Sequence, residues 1–350
     1  KGADAHAERH MVEMKSYAED LHAIAQEPLP WAQLAGKSVL VAGATGLVGA
    51  TLVEALLALP VPVEVYAAGR NAERAGAWFA AYAANPRFHF VQMDVCQPIQ
   101  GAQPFDYILD AASSANPKSF ATQPVEVMLS NFEGVRNLLD YGLLHGMQRF
   151  LYVSTGEIYG EGEGNFSEHD SGYVDCATPR ACYPSAKRAA ETLCVAYAAE
   201  HQADVVIARL CHVYGPHFTE HDNRVYAQFL RNIAAGNDLV LKSSGQQLRS
   251  WCYVVDAVRA LLYVLLKGER ATAYNVADPN SVFTIRQLAD TLAALGGKRV
   301  VMAEASATEK QGGTPITLAT FNTERLQHLG FTIEGTWQEK LQKTLEAYIH

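Results

Sequence analysis

No stretch of this chain concentrates positive charge. Its 28 Lys and Arg are outnumbered by 37 Asp and Glu, for a formal net charge of −9. A surface of that sign gives nucleic acid nothing general to hold, although a small anionic ligand needs only a few local cations. Cysteine is sparse in pattern as well. The six thiols, Cys96, Cys176, Cys182, Cys194, Cys211 and Cys252, form no CxxC pair and no metal-ligand spacing, so no metal is expected. Most stand in apolar segments and read as buried free thiols of a protein in the reducing cytoplasm. Apolar runs long enough to span a bilayer are missing, as is a leader of basic residues followed by an apolar core. Membrane partners are therefore not expected. Internal repeats, low-complexity tracts and long linkers are missing too.

What remains is an ordinary globular composition, with 49% hydrophobic and 19% charged residues in a length of 350. That suffices for one large domain, or for a nucleotide-binding domain with a smaller appendage. Residues 11–26 carry Met14, Tyr17, Leu21 and Ile24 at helical spacing until Pro28 and Pro30 end the pattern. This amphipathic helix is expected to pack onto its own domain. Ser38-Val39-Leu40-Val41-Ala42 then reads as a buried strand, followed by Gly43-Ala44-Thr45-Gly46-Leu47-Val48-Gly49 and an apolar helix through Leu59. Glycines between a strand and a helix allow a tight turn and a close backbone approach. The unpaired N–H groups of the helix suit a pyrophosphate, so a dinucleotide site is expected here.

A second strand, Val63–Ala68, ends in Gly69-Arg70-Asn71 without the acidic residue that usually selects NAD. Arg70 could face a 2′-phosphate or only stack on adenine, which leaves NAD against NADP open. A third strand leads to Asp94 and Val95, where Asp94 either accepts from an adenine amine or caps a turn. The fourth, Tyr107–Leu109, ends in the small residues Ala111, Ala112 and Ser113, which let a cofactor lie close. Asn131 is read as opening a helix. A fifth strand, Phe150–Val153, delivers Ser154-Thr155-Gly156-Glu157 at the carboxyl end, where ligands bind in doubly wound sheets. Beyond Leu210 the alternation loosens, with helices expected at 224–235, 254–266 and 284–295 and a short one at Phe321–Leu329.

Tyr183 and Lys187 stand one helical turn apart on a common face. An ammonium near a phenol favours the phenolate and lowers its pKa. A tyrosine so tuned can take a proton from a hydroxyl while a nicotinamide takes the hydride.

Together these motifs resemble those of the extended short-chain dehydrogenase/reductases, the NAD-dependent epimerase/dehydratase family that modifies nucleotide sugars. The resemblance runs over roughly residues 36–335. It rests on the glycine turn, on Val153–Gly160 (VSTGEIYG), on Tyr183 with Lys187, on Arg209–Pro216 (RLCHVYGP), on Arg249–Asp256 and on Tyr274-Asn275-Val276. The run Arg180–Thr192 is similar to that of UDP-glucuronate decarboxylases and polysaccharide-pathway relatives. The implied fold is α/β, a Rossmann-like doubly wound parallel sheet with a smaller, interleaved C-terminal substrate domain. The implied division is a helical extension over 1–35, a dinucleotide-binding domain over 36–210 with later segments returning to it, and a mainly substrate-binding part over 211–350.

The resemblance also implies roles. Tyr183 would be the base, Lys187 would hold the ribose and tune Tyr183, and Thr155 would bridge the sugar hydroxyl to Tyr183. Gly43, Thr45, Gly46, Leu47, Val48, Gly49, Arg70, Asn71, Asp94, Val95, Ala111, Ala112, Ser113 and Asn131 would line the cofactor, NAD or NADP, tightly bound and recycled. Arg249 and Arg224 would bind the pyrophosphate of a sugar nucleotide, a UDP-sugar being favoured, with His212 near the substrate. A homodimer is expected. Two departures matter. Dehydratases often carry Thr-Asp-Glu where this chain has Thr155-Gly156-Glu157, and the usual Asn of the RxxNxYGP segment is His212.

A 4-keto sugar formed at such a site has three fates: loss of a C6 carboxylate as carbon dioxide, elimination of a C6 hydroxyl, or return of hydride to the other face. Glu157, as a base at C5, would serve elimination, but Gly156 supplies no acid. Decarboxylation or C4 epimerisation is therefore expected ahead of 4,6-dehydration. A simple NADP-dependent carbonyl reductase is the further alternative, and Arg224 and Arg249 argue against it.

Overall fold

The computed structural model describes residues 16–113, 117–313 and 318–350. The chain order begins with a helix over residues 16–23 (α1), whose expected first turns lie outside the described residues. There follow β1 Lys37–Ala42, α2 Leu47–Leu57, β2 Val63–Gly69, α3 Ala72–Trp78, β3 Phe88–Gln92, β4 Tyr107–Asp110, α4 Pro117–Thr122, α5 Pro124–Leu144, β5 Arg149–Thr155 and β6 Gly164–Phe166. Next come α6 Cys182–His201, β7 Val205–Leu210, β8 His212–Tyr214, α7 Val225–Ala234, β9 Leu239–Leu241, β10 Leu248–Tyr253, α8 Val254–Lys267 and β11 Thr272–Val276. The chain ends with β12 Val282–Thr284, α9 Ile285–Gly296, β13 Val300–Met302, α10 Ala307–Gly312, β14 Leu318–Phe321, α11 Glu324–Gln327 and α12 Trp337–Ile349.

Seven strands form one sheet in the order β11-β7-β5-β4-β1-β2-β3, every pair parallel. Parallel strands are covered by helices on both faces, which is why β1 runs Val39, Leu40, Val41, Ala42 without a polar break, each fully buried. One face packs on α2 and α8, the other on α5 and α6. α8 buries 11 of its 14 residues, from Val254 to Leu266, and each of its fully buried Leu and Val side chains contributes about 1.5–3 kcal/mol. After β3 the chain crosses back over β1 to lay down β4. This reversal beside β1 opens a crevice at the strands' carboxyl ends.

Beyond β7 the chain alternates between that sheet and a smaller one. Strands β12-β10-β14-β6, with β8 joining β10, make a second sheet, and β9 pairs with β13. β11 and α8 return to the large sheet, so the later half of the chain is woven into both. Two expectations need correction. Phe321 lies in strand β14, and only Glu324–Gln327 of the expected terminal helix is helical. Asn131 sits in the middle of a 21-residue helix that Pro124 opens at its first turn, the position where a missing N–H costs nothing. The helix α12 was not anticipated, although Trp337, Leu341, Thr344 and Leu345 stand at helical spacing.

Candidate active site

The crevice has one wall made of backbone. Gly43 turns at φ +73°, and a Cβ there would lie 2.5 Å from the Ala111 carbonyl oxygen. A Cβ on Gly49 would lie 2.1 Å from the Gly43 oxygen, so Gly49 lets α2 pack on the turn. Gly46 differs: its Cβ would meet nothing nearer than 3.5 Å. It stands at the N-cap of α2 with no capping side chain, which leaves the helix N-terminus and space in front of it for an anion. Leu47 is buried in the core and Val48 packs against it, so these two offer a cofactor their backbone only. Thr45 is half-buried.

Other expected cofactor residues divide. Ser113 presents a buried hydroxyl with no hydrogen-bond partner among the described residues, a group of the kind that a ligand satisfies. Ala111 and Ala112 leave the space before them narrow-walled, with the Ala112 N–H donating to Asp110 Oδ1 at 3.0 Å. Asp94 accepts from the Cys96 N–H at 3.0 Å and is therefore capping a turn. Asn71 caps α3 by accepting from the Arg74 N–H. Arg70 is exposed and paired with Glu126 at 2.8 Å. Val95 accepts from Asn137 through its carbonyl. Asn131 is buried and internally satisfied, donating to the Val127 carbonyl and accepting from Tyr152; its amide braces α5 against β5. The glycine turn, the open helix end and the orphaned Ser113 hydroxyl fit a dinucleotide.

At the centre, β5 and α6 bring Thr155, Tyr183 and Lys187 together. Thr155 lies beside the Tyr183 phenol, whose pKa it lowers, and accepts from the Glu157 N–H at 3.2 Å. Lys187 is buried and donates to the Val153 carbonyl at 2.8 Å, its ammonium 4.6 Å above the Tyr152 ring and 5.8 Å from the centre of the Tyr183 ring. Burial pushes Lys187 down to about 8, against the pull of Asp110 and Glu191. Asp110, at the end of β4, is pushed up to about 6 by its own burial, with Lys187 and the Ala112 N–H opposing.

The expectation that Lys187 lowers the Tyr183 pKa does not hold in this geometry. The phenol is raised well above its ordinary value, by burial first and Glu157 second; Thr155, Arg224 and Arg180 oppose them. Lys187 faces the carbonyl of Val153 and the tyrosine rings.

Glu157 is not a lone base either. It forms an ion pair with Arg180, whose guanidinium lies 4.6 Å over the ring of Phe120. Phe120 in turn stacks on Tyr183 at 4.5 Å. Gly156 is enclosed: a Cβ there would sit 2.0 Å from Cζ of Phe321. Sequence reading missed Arg180, Phe120, Asp110 and Phe321 as site residues. Only Asp110, ending a buried strand beside the small residues, left a local signal.

The opposite wall carries charge. Arg249 is 4% exposed on β10 and donates to the Leu248 carbonyl; burial lowers its pKa while Glu157 and Glu163 raise it. Arg224 pairs with Asp222 at 2.6 Å and donates to the Tyr226 hydroxyl. His212 packs against Trp251, ring centres 5.0 Å apart. It opens onto the cleft although protein surrounds it otherwise. That enclosure, then Arg249 and Arg224, pushes its pKa down to about 3, leaving a neutral imidazole. The structure thus gathers Thr155, Glu157, Tyr183 and Lys187 at one centre, with His212, Arg224 and Arg249 on the side of the smaller sheet. Among the described residues no cluster of metal ligands occurs, and no helix is long and apolar enough to cross a membrane.

Comparison with known proteins follows the same line. The family model described as NAD dependent epimerase/dehydratase family matches residues 39–277. The chain is 31% identical over 277 residues to UDP-glucuronic acid decarboxylase 1 of Xenopus tropicalis, covering 77% of this chain and 63% of that protein. It is 32% identical over 259 residues to UDP-glucuronic acid decarboxylase 6 of Arabidopsis thaliana, covering 73% of each. The chain thus spans less than two thirds of the Xenopus relative and under three quarters of the Arabidopsis one. Its fold superposes with TM-score 0.77 on UDP-glucuronic acid 4-epimerase of Bacillus cereus, solved with UDP-glucuronic acid and NAD. That match covers 89% of this chain and 98% of the other at 19% identity, a likeness of fold alone.

Proposed function

The chain belongs to the NAD-dependent epimerase/dehydratase family, and from that premise we propose that it decarboxylates a UDP-hexuronic acid through a transient 4-ketone. NAD, when bound, supplies the hydride acceptor at C4 and gives the hydride back. As a phenolate, the form that Thr155, Arg224 and Arg180 favour against burial and Glu157, Tyr183 takes the C4 hydroxyl proton, and Thr155 beside it positions that hydroxyl. The ketone then draws the electron pair of the C5–C6 bond as carbon dioxide leaves, C5 gains a proton from solvent, and Tyr183 returns its proton to the C4 oxygen as the hydride comes back. Lys187 keeps a positive charge beneath the Tyr152 and Tyr183 rings, and Arg224 and Arg249 hold the diphosphate.

The observation that carries decarboxylation over dehydration is Gly156. Expelling a C6 hydroxyl needs a proton donor beside C6, and the Phe321 ring leaves no room for a side chain at position 156. Loss of carbon dioxide needs no such donor. The pairing of Arg70 with Glu126 engages the cation that a 2′-phosphate would need and supports NAD over NADP. The six cysteines are unpaired, which agrees with a reducing cytoplasm. C4 epimerisation shares the first step and differs only in product.

The test is to identify the cofactor that co-purifies and to follow a panel of sugar nucleotides by NMR. Carbon dioxide and a UDP-pentose from UDP-glucuronate are expected. A 4-keto-6-deoxy sugar or a C4 epimer would replace this reading, and turnover of simple ketones alone with steady NADPH consumption would end it.

We also propose a homodimer through α5 and α6, which pack side by side. Val125, Met128, Leu129 and Phe132 are 70, 43, 48 and 38% exposed on one stretch of α5, an apolar face that a second copy would cover. Leu129→Asp is expected to give a monomer by light scattering.

A further inference from the structure

Two of the arginines around the cleft already have a task in the proposed reaction, and a third has not. Arg180 stands in the turn Pro179–Ala181 that leads into α6, three residues ahead of Tyr183. Its Nε donates to the carbonyls of Gly312 and Gly313 at 3.1 and 3.2 Å, and its Nη2 pairs with Glu157. The guanidinium carbon lies 4.6 Å over the Phe120 ring, which also stacks on the Tyr183 ring. Both members of the ion pair are largely buried, with Arg180 17% and Glu157 26% exposed.

A guanidinium has five N–H donors in a fixed fork. In Arg180 the Nε–H is shared by two carbonyls and one Nη2 hydrogen meets Glu157, while Nη1 has no hydrogen-bond partner among the described residues. A cation anchored at one end over an aromatic ring that itself stacks on the reacting tyrosine, with donors left over, is built to receive a second planar anion. Carboxylates match that fork.

We infer that Arg180 is the residue that recognises the C6 carboxylate of the sugar, taking it on the unused side of its guanidinium while Glu157 holds the other. This rests on the proposed reading of the site as one for UDP-hexuronic acids. It separates the two ends of the substrate: Arg224 and Arg249 face the diphosphate, and Arg180 the acid. It also gives the Glu157 pair a purpose. A lone buried arginine would be costly, whereas one neutralised by Glu157 can wait for substrate. Two carboxylates about one cation repel each other, and that repulsion is relieved when the sugar carboxylate departs as neutral carbon dioxide.

The experiment uses the full-length protein with its cofactor, carrying Tyr183→Phe to stop turnover. Calorimetry then gives the affinities for UDP, UDP-glucose and UDP-glucuronate. Adding Arg180→Gln is expected to weaken UDP-glucuronate about ten-fold or more, the worth of charged hydrogen bonds, and to leave UDP and UDP-glucose within about two-fold. Arg180→Lys, which keeps the charge without the fork, should fall between. An equal loss for all three ligands, or no change in any, would overturn the assignment of Arg180 and leave the reaction standing. If the Arg180 parent protein itself does not prefer UDP-glucuronate to UDP-glucose, the reading of the substrate falls and the inference with it.

Discussion

The two walls of the crevice are made from different materials. Below β1 and β4 the surface is backbone: Gly43, Gly46 and Gly49, the N-terminus of α2, and the small residues Ala111 to Ser113. Across from it, β10 and the turn before α7 supply arginine side chains, Arg249 and Arg224, with the pKa of His212 pushed down by its surroundings first and by these two charges second. A backbone wall holds an anion by fixed dipoles and permits no change of shape. An arginine wall holds it by charge on long side chains and can be re-aimed. The difference suits a cofactor that stays and a substrate that comes and goes. Tyr183 lies at the seam, on α6, within reach of the Arg224 charge.

The seam gives the largest expected effect. Tyr183→Phe should lose at least about two orders of magnitude in turnover, a general-base contribution, while NAD retention and UDP affinity stay as they were. Near-normal turnover would remove Tyr183 from the mechanism.

On the backbone wall the three glycines should separate. Gly49→Ala forces a methyl to within 2.1 Å of the Gly43 oxygen and should cost about 1–3 kcal/mol of stability, as overpacking does. Gly46→Ala has room in the fold and should leave Tm alone while releasing NAD. If both lower Tm alike, Gly46 serves packing and the open helix end has no special place. On the charged wall, Arg249→Gln should weaken UDP about ten-fold without loosening NAD. Loss of both ligands together would mean that the walls are not independent.

The smallest effect concerns the folded state. Lys187 has a folded pKa of about 8, below its ordinary value of 10.5, because burial disfavours the ammonium. Between those values the unfolded chain binds more protons, so this residue makes stability rise with pH from about 8 to about 10.5. Denaturation of wild type and Lys187→Met across that window should show the rise only in the wild type.

How much of this could be read from sequence follows the same division. The backbone wall was legible, because strand, glycine turn and helix are neighbours in the chain and their spacing is the signal. So were Thr155 at the end of β5 and the Tyr183–Lys187 turn. The charged side was legible only in part. Arg224 and Arg249 were found, yet the Arg180–Glu157 pair joins residues 23 apart, and nothing local announces it. Phe321 was misplaced in a helix because its strand depends on remote partners: β14 pairs with β6 and β10. The consequence for Gly156 could therefore not be seen. Arg70 and Asp94 had two readings each, and their partners, Glu126 and the Cys96 N–H, come from the folded chain.

The central claim is a transient oxidation at C4 by a cofactor that never leaves. It is tested most directly with UDP-glucuronate carrying deuterium at C4 and carbon-13 at C6. The account predicts that labelled carbon dioxide is released, that the UDP-pentose keeps its deuterium at C4, and that no reduced cofactor accumulates. Deuterium lost from C4 into the medium, or retained while no carbon dioxide forms, would contradict it.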